Sequence, residues 1–575
     1  MTAASITATI APGRRQLVNV RQQLLITAKW RVMWVLILFA AITLGALLRI
    51  ALLGLLQPAG AGLSLTDPLL PPRGDIVDRN GVPLARAFPA YSLWFNPKAM
   101  GDGGPPLVKS PAEIAAGLVR IFPDEDAGRL AARLASGQPG YLRRRILPEE
   151  ANRVHALGEP ALESPFENER LYPQGTMAAH VLGFVGADGH GRVGMEQVFD
   201  ERLTDPLSRG TPSMLSLDAR VQGALEDELR KGMLDTKAKG AGGIVLDVDS
   251  GEVLALASLP SFNPNLIDRS GAVNIFNRMT NQVYELGSTF KPITVAAAID
   301  AGVITNMARR YRSDRPLEIG GYQIRDSHNL GASLNVCEAL IHSSNIVTAQ
   351  VADELGAARL NATMRSLGMN ERPYIELPAK GFPLWPRGQW SRITTMTVSY
   401  GHGIAVTPLH LASAYAAMVN GGIWRPATLM KLDAGHAPAG RRVFKASTSA
   451  RMRQLLRMIV ADGTGRKADA VGFRVGGKTG SAEKPGSGGY RRSSLVATFA
   501  AAFPMDRPRY VIIAMLDEPQ GTVATSGQRT AAWNAAPIVG KVVPRIGPLL
   551  GVMPDASRDI DISDLSPLVG HPEGQ

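Results

Sequence analysis

Hydrophobic residues near the N-terminus form one long run before the alternating pattern of the folded domains begins. Residues 32–48 carry no charged side chain, and the apolar run continues after Arg49 as far as Leu56. A helix of this length can cross the hydrocarbon core of a bilayer, with Arg49 placing its charge near the outer end. Because the run is too long for a signal peptide and no clear small-residue cleavage site follows it, the pattern predicts an uncleaved transmembrane helix over residues 32–56.

Residues 57–210 begin with a linker rich in Pro, Gly and Leu and then alternate short strand-like and helical pieces. Tyr91–Phe95 is typical of a strand and Ala112–Ile121 of a helix. No nucleophile, base or cluster of ligands stands out in this region, so we expect a non-catalytic pedestal. Three consecutive arginines, 143–145, could belong to a binding site, but the pattern favours a solvated turn.

A connector over residues 211–239 leads into a larger domain, residues 240–550, whose pattern changes from strands to helices and back. Two apolar runs joined through residues 249–251 predict an opening hairpin. Helical patterns dominate from Ser288 to about Asn420. The later strands and the closing helix are predicted at Phe473–Gly477, Leu495–Phe503, Tyr510–Leu516 and about Thr530–Leu550. This order predicts an α+β domain with a mostly antiparallel sheet and a helical subdomain. Residues 551–575 contain several aspartates and little apolar pattern, which predicts a mobile tail.

Composition narrows the possible functions. Hydrophobic residues make up 45% of the 575 positions, which is enough for well-packed cores in several domains. The single cysteine excludes an intrachain disulfide, and nine scattered histidines without a Cys/His cluster give no indication of a metal site. The net charge of +12 is spread along the chain without a nucleic-acid-binding motif, so nucleic acid is not a predicted partner.

The charges that flank the hydrophobic run are asymmetric. Five basic residues and no acidic residue lie before residue 32. Because cytoplasmic segments carry the excess of Lys and Arg, residues 1–31 are predicted to form a cytoplasmic tail. The chain beyond about residue 57 then lies outside the cytoplasm, which in a bacterium is the periplasmic side of the inner membrane.

The segment Gly287–Pro292 sets a serine hydroxyl three residues before a lysine amine at the start of an apolar helix. Positions i and i+3 share a face of a helical turn, so the Lys291 amine can reach the Ser288 oxygen. Burial would favour the neutral, basic form of that amine, which could then take the serine proton. Pro292 fits only the first turn of such a helix. Ser288 is therefore the candidate nucleophile and Lys291 its base.

The same Ser-x-x-Lys spacing occurs again at Ser481 and Lys484. About one such match is expected by chance in a chain of this size, so the spacing alone does not decide between the two. The second copy lies in a stretch rich in Gly, Lys and Ser with no apolar helix behind it. Lys484–Gly489 predicts a flexible loop, which is either a gate beside the cleft or a simple hairpin tip.

Two further motifs favour Ser288. Ser343-Ser344-Asn345 lies between two helical segments, and Lys478-Thr479-Gly480 ends a strand-like run that begins at Phe473. In this order, the three motifs match the signature set of penicillin-binding proteins and class A β-lactamases.

The chain resembles a class B penicillin-binding protein, a membrane-anchored peptidoglycan D,D-transpeptidase, over nearly its whole length. The segments that carry the likeness beyond the three motifs are Arg73–Gly81, Arg170–Pro173, Ala179–Gly183 and Tyr400–Pro408. Ala90–Pro97 and the modest chain length are more like the septal cell-division member than the elongation member. Two positions depart from the common pattern: Ser344 stands where the motif has Asp, and Ser481 where many relatives have Thr.

The resemblance implies a serine acyl-enzyme mechanism on the D-Ala-D-Ala end of the peptidoglycan stem peptide, with no cofactor and no metal. Ser288 attacks the penultimate carbonyl, and the backbone N–H groups of Ser288 and Ser481 hold the developing oxyanion. Ser343 relays a proton to the departing D-Ala.

The remaining motif residues are implied to bind the substrate. Asn345 would orient the substrate amide and help to place Lys291. Lys478 and Thr479 would bind the terminal carboxylate, and Gly480 would let the substrate backbone come close.

An amine from a neighbouring stem peptide would then release the acyl group and form the cross-link. Water would instead give a D,D-carboxypeptidase or a β-lactamase-type hydrolase, but a free hydrolase would not need an anchor and a pedestal. A membrane receptor for β-lactams is disfavoured because only residues 1–31 lie inside, and a bifunctional polymerase because the membrane-proximal region is short. The implied partners are stem peptides, β-lactam antibiotics, the membrane and, at midcell, a glycan polymerase and division-machinery membrane proteins.

Overall fold

The computed structural model describes residues 11–56, 73–186, 188–269, 274–433, 435–486 and 489–570. The predicted linker after the membrane helix and the first ten residues of the predicted cytoplasmic tail lie outside these ranges. The chain divides into two compact units, residues 1–70 and residues 71–575, which are described separately.

The described part of the first unit, residues 11–56, forms one helix, α1, Ala11–Leu56. Its segment Ala28–Arg49 is long and apolar enough to cross a membrane. The apolar helix therefore fits the predicted membrane anchor, although the helix begins well before the predicted start at residue 32. Arg, Lys and Gln are good helix formers, so the change from apolar to basic residues does not end the helix.

The second unit begins with the pedestal. Its strands are β1 (Ile76–Val77), β2 (Pro83–Phe95), β3 (Gly140–Ile146), β4 (Leu162–Glu163), β5 (Phe166–Leu171), β6 (Phe184–Val185), β7 (Gly191–Val193) and β8 (Ser213–Met214). Its helices are α2 (Pro111–Ile121), α3 (Ala127–Ala135), α4 (Pro148–His155), α5 (Ala179–Leu182), α6 (Gly194–Val198) and α7 (Asp200–Thr204). The predicted strand at residues 91–95 and helix at residues 112–121 are confirmed as parts of β2 and α2. A capping box between Ser110 and Glu113 begins α2.

The arginine run at 143–145 lies in strand β3, so the predicted solvated turn is wrong. Arg143 pairs with Glu125 and Arg145 with Glu169. With their neighbours the three arginines line a cavity of about 1100 Å³. A turn was expected because a run of charged residues usually lies on a solvated surface. Here the arginines lie in a strand, and carboxylates of neighbouring segments neutralise their charge.

A buried ion cluster joins two of the family-like segments in the pedestal. Glu196 is fully buried and accepts hydrogen bonds from Arg73 at 2.8 Å and Arg170 at 2.7 Å. Arg170 also donates to the backbone oxygen of Gly74 at 2.7 Å. Asp78 receives the backbone N–H of Ala219, at the start of the helix that leads into the large domain. The cluster thus holds the Arg73 and Arg170 segments together, and Asp78 of the first segment contacts the connector helix.

The large domain contains the remaining elements. Its strands are β9 (Gly240–Asp247), β10 (Val253–Leu259), β11 (Tyr311–Arg312), β12 (Leu317–Ile319), β13 (Tyr322–Ile324), β14 (Ser333–Leu334), β15 (Ile423–Trp424), β16 (Arg441–Arg442), β17 (Gly476–Gly486), β18 (Gly489–Phe503) and β19 (Tyr510–Asp517). The helices, including that of the connector, are α8 (Ala219–Asp235), α9 (Lys291–Asp300), α10 (Val336–Ile341), α11 (Asn345–Leu355), α12 (Ala357–Ser366), α13 (Arg392–Ser399), α14 (Pro408–Val419), α15 (Ala446–Ala461) and α16 (Ala535–Ile546).

A five-stranded sheet in the order β10-β9-β19-β18-β17 forms the centre of this domain, and every neighbouring pair is antiparallel. Helices cover both faces, so alternate residues of one strand enter different cores: Ile513 packs with α9 and α14, and Ile512 with α8 and α16. Burial on both faces explains why β19 is a continuous apolar run. The predicted α+β domain with an antiparallel sheet and a helical subdomain is confirmed.

The C-terminal segment packs against the large domain, so the predicted mobile tail is wrong for residues 551–570. Leu565 is 1% exposed and belongs to the main core. Asp559 pairs with Arg457 of α15 at 2.8 Å, and Asn335 donates to the backbone oxygen of Leu568 at 2.6 Å. The aspartates suggested a solvated tail, but Asp559 and Asp564 form ion pairs with Arg457 and Arg451. The apolar residues follow no period because most of the segment lacks regular secondary structure. Residues 571–575 lie outside the described residues.

Candidate active site

The candidate nucleophile lies on a tight turn directly before a buried helix. Gly287–Phe290 forms a 3-10 turn, and α9 begins at Lys291 with Pro292 in its first turn. The predicted apolar helix is therefore confirmed, with the difference that Ser288 precedes its first α-helical turn. Gly287 has φ +55°, a left-handed conformation that favours glycine.

Two glycines let neighbouring segments pack directly on this turn. A Cβ added to Gly480 would lie 2.4 Å from the Leu286 oxygen, and one added to Gly401 would lie 2.3 Å from the Gly287 oxygen. The predicted reason for Gly480 was room for the substrate backbone. The structure supplies another reason, which is the contact between strand β17 and the serine turn.

The second motif forms the turn predicted between α10 and α11. Ser343 has φ +64°, and the Ser344 hydroxyl caps α11 by accepting the backbone N–H of Val347 at 3.1 Å. The same hydroxyl donates to Asp326 at 2.7 Å. Ser and Asp are both good N-cap residues, which accounts for Ser at a position where the common motif has Asp.

Asn345, the last residue of this motif, is turned toward a neighbouring loop. Its side-chain amide donates to the backbone oxygen of Arg325 at 2.9 Å. Within the described ranges the Asn345 side chain makes no hydrogen bond to Lys291, so its predicted part in placing that lysine has no counterpart in this geometry.

Lys291 and Lys478 meet at one hydroxyl. The Lys291 ammonium nitrogen donates to the Ser343 hydroxyl at 3.1 Å and also to the Ser343 backbone oxygen, and the Lys478 nitrogen donates to the same hydroxyl at 3.0 Å. The three residues are far apart in sequence, and the fold brings them into direct contact.

Both lysines are 0% exposed, which changes their protonation. Burial and the neighbouring Lys478 charge hold the pKa of Lys291 well below its ordinary value, so the predicted shift toward the basic form is confirmed. Burial lowers the pKa of Lys478 to about 7. In the free enzyme Lys478 therefore titrates near neutrality and is not a permanent positive charge.

The Ser288 hydroxyl is partly exposed beside this cluster. Among the residues that the structure describes, it makes no hydrogen bond, because the Lys291 donors are directed to Ser343. Catalytic hydrogen bonds are often long in a free enzyme and shorten when substrate binds, so this geometry leaves Ser288 available for attack.

The third motif lies near the start of β17, and not at the end of a strand as predicted, because the strand begins at Gly476 and continues to Gly486. The Thr479 hydroxyl lies 3.3 Å from the Lys478 nitrogen and 2.9 Å from the Thr464 hydroxyl. The Ser481 hydroxyl accepts the backbone N–H of Ala531 at 3.0 Å.

The second Ser-x-x-Lys copy is not a catalytic pair. Ser481 and Lys484 lie on a strand, where positions i and i+3 point to opposite faces. Lys484 instead pairs with Glu518 at 3.0 Å and with Asp517. The predicted loop at residues 484–489 is largely the end of the β17–β18 hairpin, with residues 487–488 outside the described ranges.

Sequence reasoning missed several residues that the structure places around the site. Asp326 receives the Ser344 hydroxyl and the backbone N–H of Ile346, and Thr464 contacts Thr479. Thr464 stands between two glycines, which is a weak indication that another segment lies close to the backbone there. Asp326 carries no signal of its own, because its neighbours in space are distant in sequence.

A buried lysine base beside a serine, with a second lysine at a sheet edge, defines an enzyme that passes an acyl group through a serine ester. Residues 241–542 match the family of the penicillin binding protein transpeptidase domain, and residues 68–205 match the penicillin-binding protein dimerisation domain. The chain belongs to the class B penicillin-binding proteins, which are peptidoglycan D,D-transpeptidases. The predicted domain bounds enclose both matched ranges and otherwise remain predictions.

Individual relatives support this assignment over most of the chain. The probable peptidoglycan D,D-transpeptidase FtsI of Caulobacter vibrioides is 38% identical over 524 residues, 89% of this chain and 87% of the relative. The peptidoglycan D,D-transpeptidase FtsI of Escherichia coli K12 is 31% identical over 508 residues, 84% of each chain. The fold resembles a crystal structure of penicillin-binding protein 3 from Mycobacterium tuberculosis complexed with ampicillin, with a TM-score of 0.67 and 24% identity over 85% of this chain and 98% of that one.

Proposed function

We propose that this protein is the septal, FtsI-like D,D-transpeptidase, which cross-links stem peptides at the division site through an ester on Ser288. The observation that carries the proposal is the direct contact of buried Lys291 and buried Lys478 with the Ser343 hydroxyl, beside the serine turn. Relatives named FtsI favour the septal role over the elongation role.

Acylation begins when neutral Lys291 takes the Ser288 proton and the serine oxygen attacks the penultimate carbonyl of the stem peptide. The backbone N–H groups of Ser288 and Ser481 stabilise the oxyanion. Ser343, which already contacts both lysines, passes a proton to the departing D-Ala.

Lys478 and Thr479 bind the terminal carboxylate of the donor. A carboxylate beside Lys478 favours the ammonium form of that lysine, so binding and protonation support each other. Asn345 orients the substrate amide, and β-lactams acylate the same serine because they carry an acyl group and a carboxylate in the same relation.

If an amine takes the acyl group from Ser288, the product is the cross-link. If water takes it, the enzyme is a hydrolase. The apolar helix α1 and the pedestal favour the transpeptidase, because a free hydrolase would need neither a membrane anchor nor a pedestal. The topology follows from the charge asymmetry around α1: the N-terminus is cytoplasmic and the catalytic domain periplasmic. The proposed partners are a glycan polymerase and the division-machinery membrane proteins.

The test is covalent labelling of the full-length protein in detergent with a fluorescent penicillin, together with cross-linking of synthetic stem peptides. Wild-type protein should be labelled and form cross-links, and Ser288→Ala should do neither while unfolding at the same temperature. Labelling that survives in Ser288→Ala would assign the nucleophile to another residue. In dividing cells, a fluorescent fusion spread along the side wall, without midcell rings, would refute the septal role.

A further inference from the structure

A carboxylate on the wall of the cleft has no part in the mechanism described so far. Glu285 lies three residues before Ser288 and accepts hydrogen bonds from the Tyr490 hydroxyl at 2.9 Å and from the backbone N–H of Gly403 at 3.1 Å. Among the side chains that the structure describes, no Lys, Arg or His forms an ion pair with it. Partial burial raises the pKa of Glu285.

The neighbours of Glu285 form a wall that borders the serine turn. The ring of Tyr490 lies 5.5 Å from that of His402, which lies 5.3 Å from that of Tyr400. Burial is the main cause that lowers the pKa of His402, and nearby Lys291 lowers it further when that lysine is protonated, so both favour the neutral ring. Gly401 packs on the Gly287 oxygen, directly beside Ser288.

The wall is open on its outer side. Tyr490 is 46% exposed and lies at the start of β18, at the end of the hairpin that continues from the Lys478 motif. A ligand group can therefore reach Glu285 from solvent while another part of the same ligand lies at the serine. Asp326, which lies near the two lysines, is already occupied by Ser344 and by backbone N–H groups.

We propose that Glu285, framed by Tyr490 and His402, is the subsite that binds the ammonium group of the incoming acceptor stem peptide and accepts its proton. A partly buried carboxylate that has no cation among the described side chains is the chemical complement of a primary ammonium group, and aromatic faces beside it favour a cation. The inference rests on the proposed transpeptidase function, and it assigns the second half of the reaction to a residue outside the three motifs.

The acceptor ammonium gives one proton to the Glu285 carboxylate, and its nitrogen lone pair attacks the ester carbonyl of the acylated serine. The new C–N bond forms as the C–O bond to Ser288 breaks. The second nitrogen proton passes through Lys291 to the Ser288 oxygen, which leaves a free hydroxyl, and protonated Glu285 returns its proton to solvent.

The test measures how the acyl-enzyme divides between amine and water. Full-length protein in detergent is acylated with a D-alanyl thioester, and the ratio of aminolysis to hydrolysis is measured with D-alanine, whose amine is an ammonium group at neutral pH, and with hydroxylamine, which is uncharged there. Glu285→Gln should lower the ratio for D-alanine about tenfold, because a charge-assisted contact is lost. The ratio for hydroxylamine and the rate of acylation by penicillin should stay within about threefold of wild type.

Glu483→Gln serves as the control. It removes another carboxylate whose field reaches Tyr490, and it should leave the D-alanine ratio unchanged.

Several outcomes would overturn the inference. An unchanged D-alanine ratio in Glu285→Gln would mean that the carboxylate does not bind the acceptor. Equal losses with both nucleophiles, or an equal loss in Glu483→Gln, would assign Glu285 a structural or general electrostatic role. Loss of penicillin acylation in Glu285→Gln alone would make Glu285 a support of the serine turn. Failure of the wild-type protein to be acylated would instead refute the proposed function itself.

Discussion

The Lys478 ammonium nitrogen lies 3.0 Å from the Ser343 hydroxyl oxygen, in a site from which solvent is excluded on the lysine side. The same hydroxyl is 3.1 Å from the Lys291 nitrogen. Two ammonium groups this close oppose each other's charge, and burial disfavours both charges. The pKa of Lys291 therefore lies well below its ordinary value, which favours a neutral base, and that of Lys478 is about 7.

We expect recognition of the β-lactam carboxylate to depend on pH through Lys478. Its ammonium form attracts the carboxylate, and this form is lost as the pH rises through about 7. The second-order acylation rate for a penicillin, divided by that for its carboxylate methyl ester, should therefore fall between about pH 6 and about pH 9, because second-order rates report the pKa values of the free enzyme.

Lys478→Ala supplies the control for this pH effect. Removal of one partner of a charge-assisted contact in a partly desolvated cleft costs roughly 2 to 5 kcal/mol, so acylation by the penicillin should slow by about thirtyfold or more. The penicillin methyl ester should react slowly with the wild-type protein and hardly more slowly with Lys478→Ala. In this variant, the ratio of the penicillin rate to the ester rate should no longer depend on pH. Equal sensitivity of acid and ester to the mutation would contradict the pairing.

Lys291→Arg should lose nearly all acylation by penicillin although it keeps a positive side chain. A guanidinium group cannot deprotonate in a protein, so it cannot take the Ser288 proton. The measurement is stopped-flow acylation, with the unfolding temperature as a check on folding. Near-normal acylation by this variant would remove Lys291 from the role of base.

The sequence predicted the Ser288 turn and helix α9 because their determinants are local: an apolar run, a proline in the first turn and a spacing of three residues. The meeting of Ser343 and Lys478 depends on tertiary structure, and only the family resemblance pointed to it. Asp326 and Glu285 were not predicted, since their partners come from distant segments. The docked C-terminal segment was also missed, because a chain without regular secondary structure shows no hydrophobic period even when it is buried.

The ion cluster of the pedestal should be important for stability. Glu196 is fully buried between Arg73 and Arg170, so Glu196→Ala would leave two buried guanidinium groups without their shared carboxylate. Loss of one partner of a buried pair costs about 3 to 5 kcal/mol. Chemical denaturation of the full-length protein should show this loss. The fluorescence of the pedestal should be followed, because a chain with several domains does not have a single free energy of unfolding.

A surface ion pair provides the matched control. Glu354 pairs with Arg309 on an exposed helix face, and Glu354→Ala should cost less than about 1 kcal/mol. Similar losses in the two variants would show that the buried cluster stabilises the fold no more than a surface ion pair does.

Docking of the C-terminal segment predicts that it stabilises the helix that leads to the Ser343 turn. Leu565 is 1% exposed in the main core, and the backbone oxygen of Leu568 accepts a hydrogen bond from Asn335, the N-cap of α10. Leu565→Ala should therefore lower the free energy of unfolding by about 2 to 5 kcal/mol. Met553→Ala, in the same segment but at a position that is 66% exposed, should change it by less than about 0.5 kcal/mol. If Leu565→Ala proved as mild as Met553→Ala in denaturant titrations, the segment would be mobile in solution, as the aspartate-rich sequence first indicated.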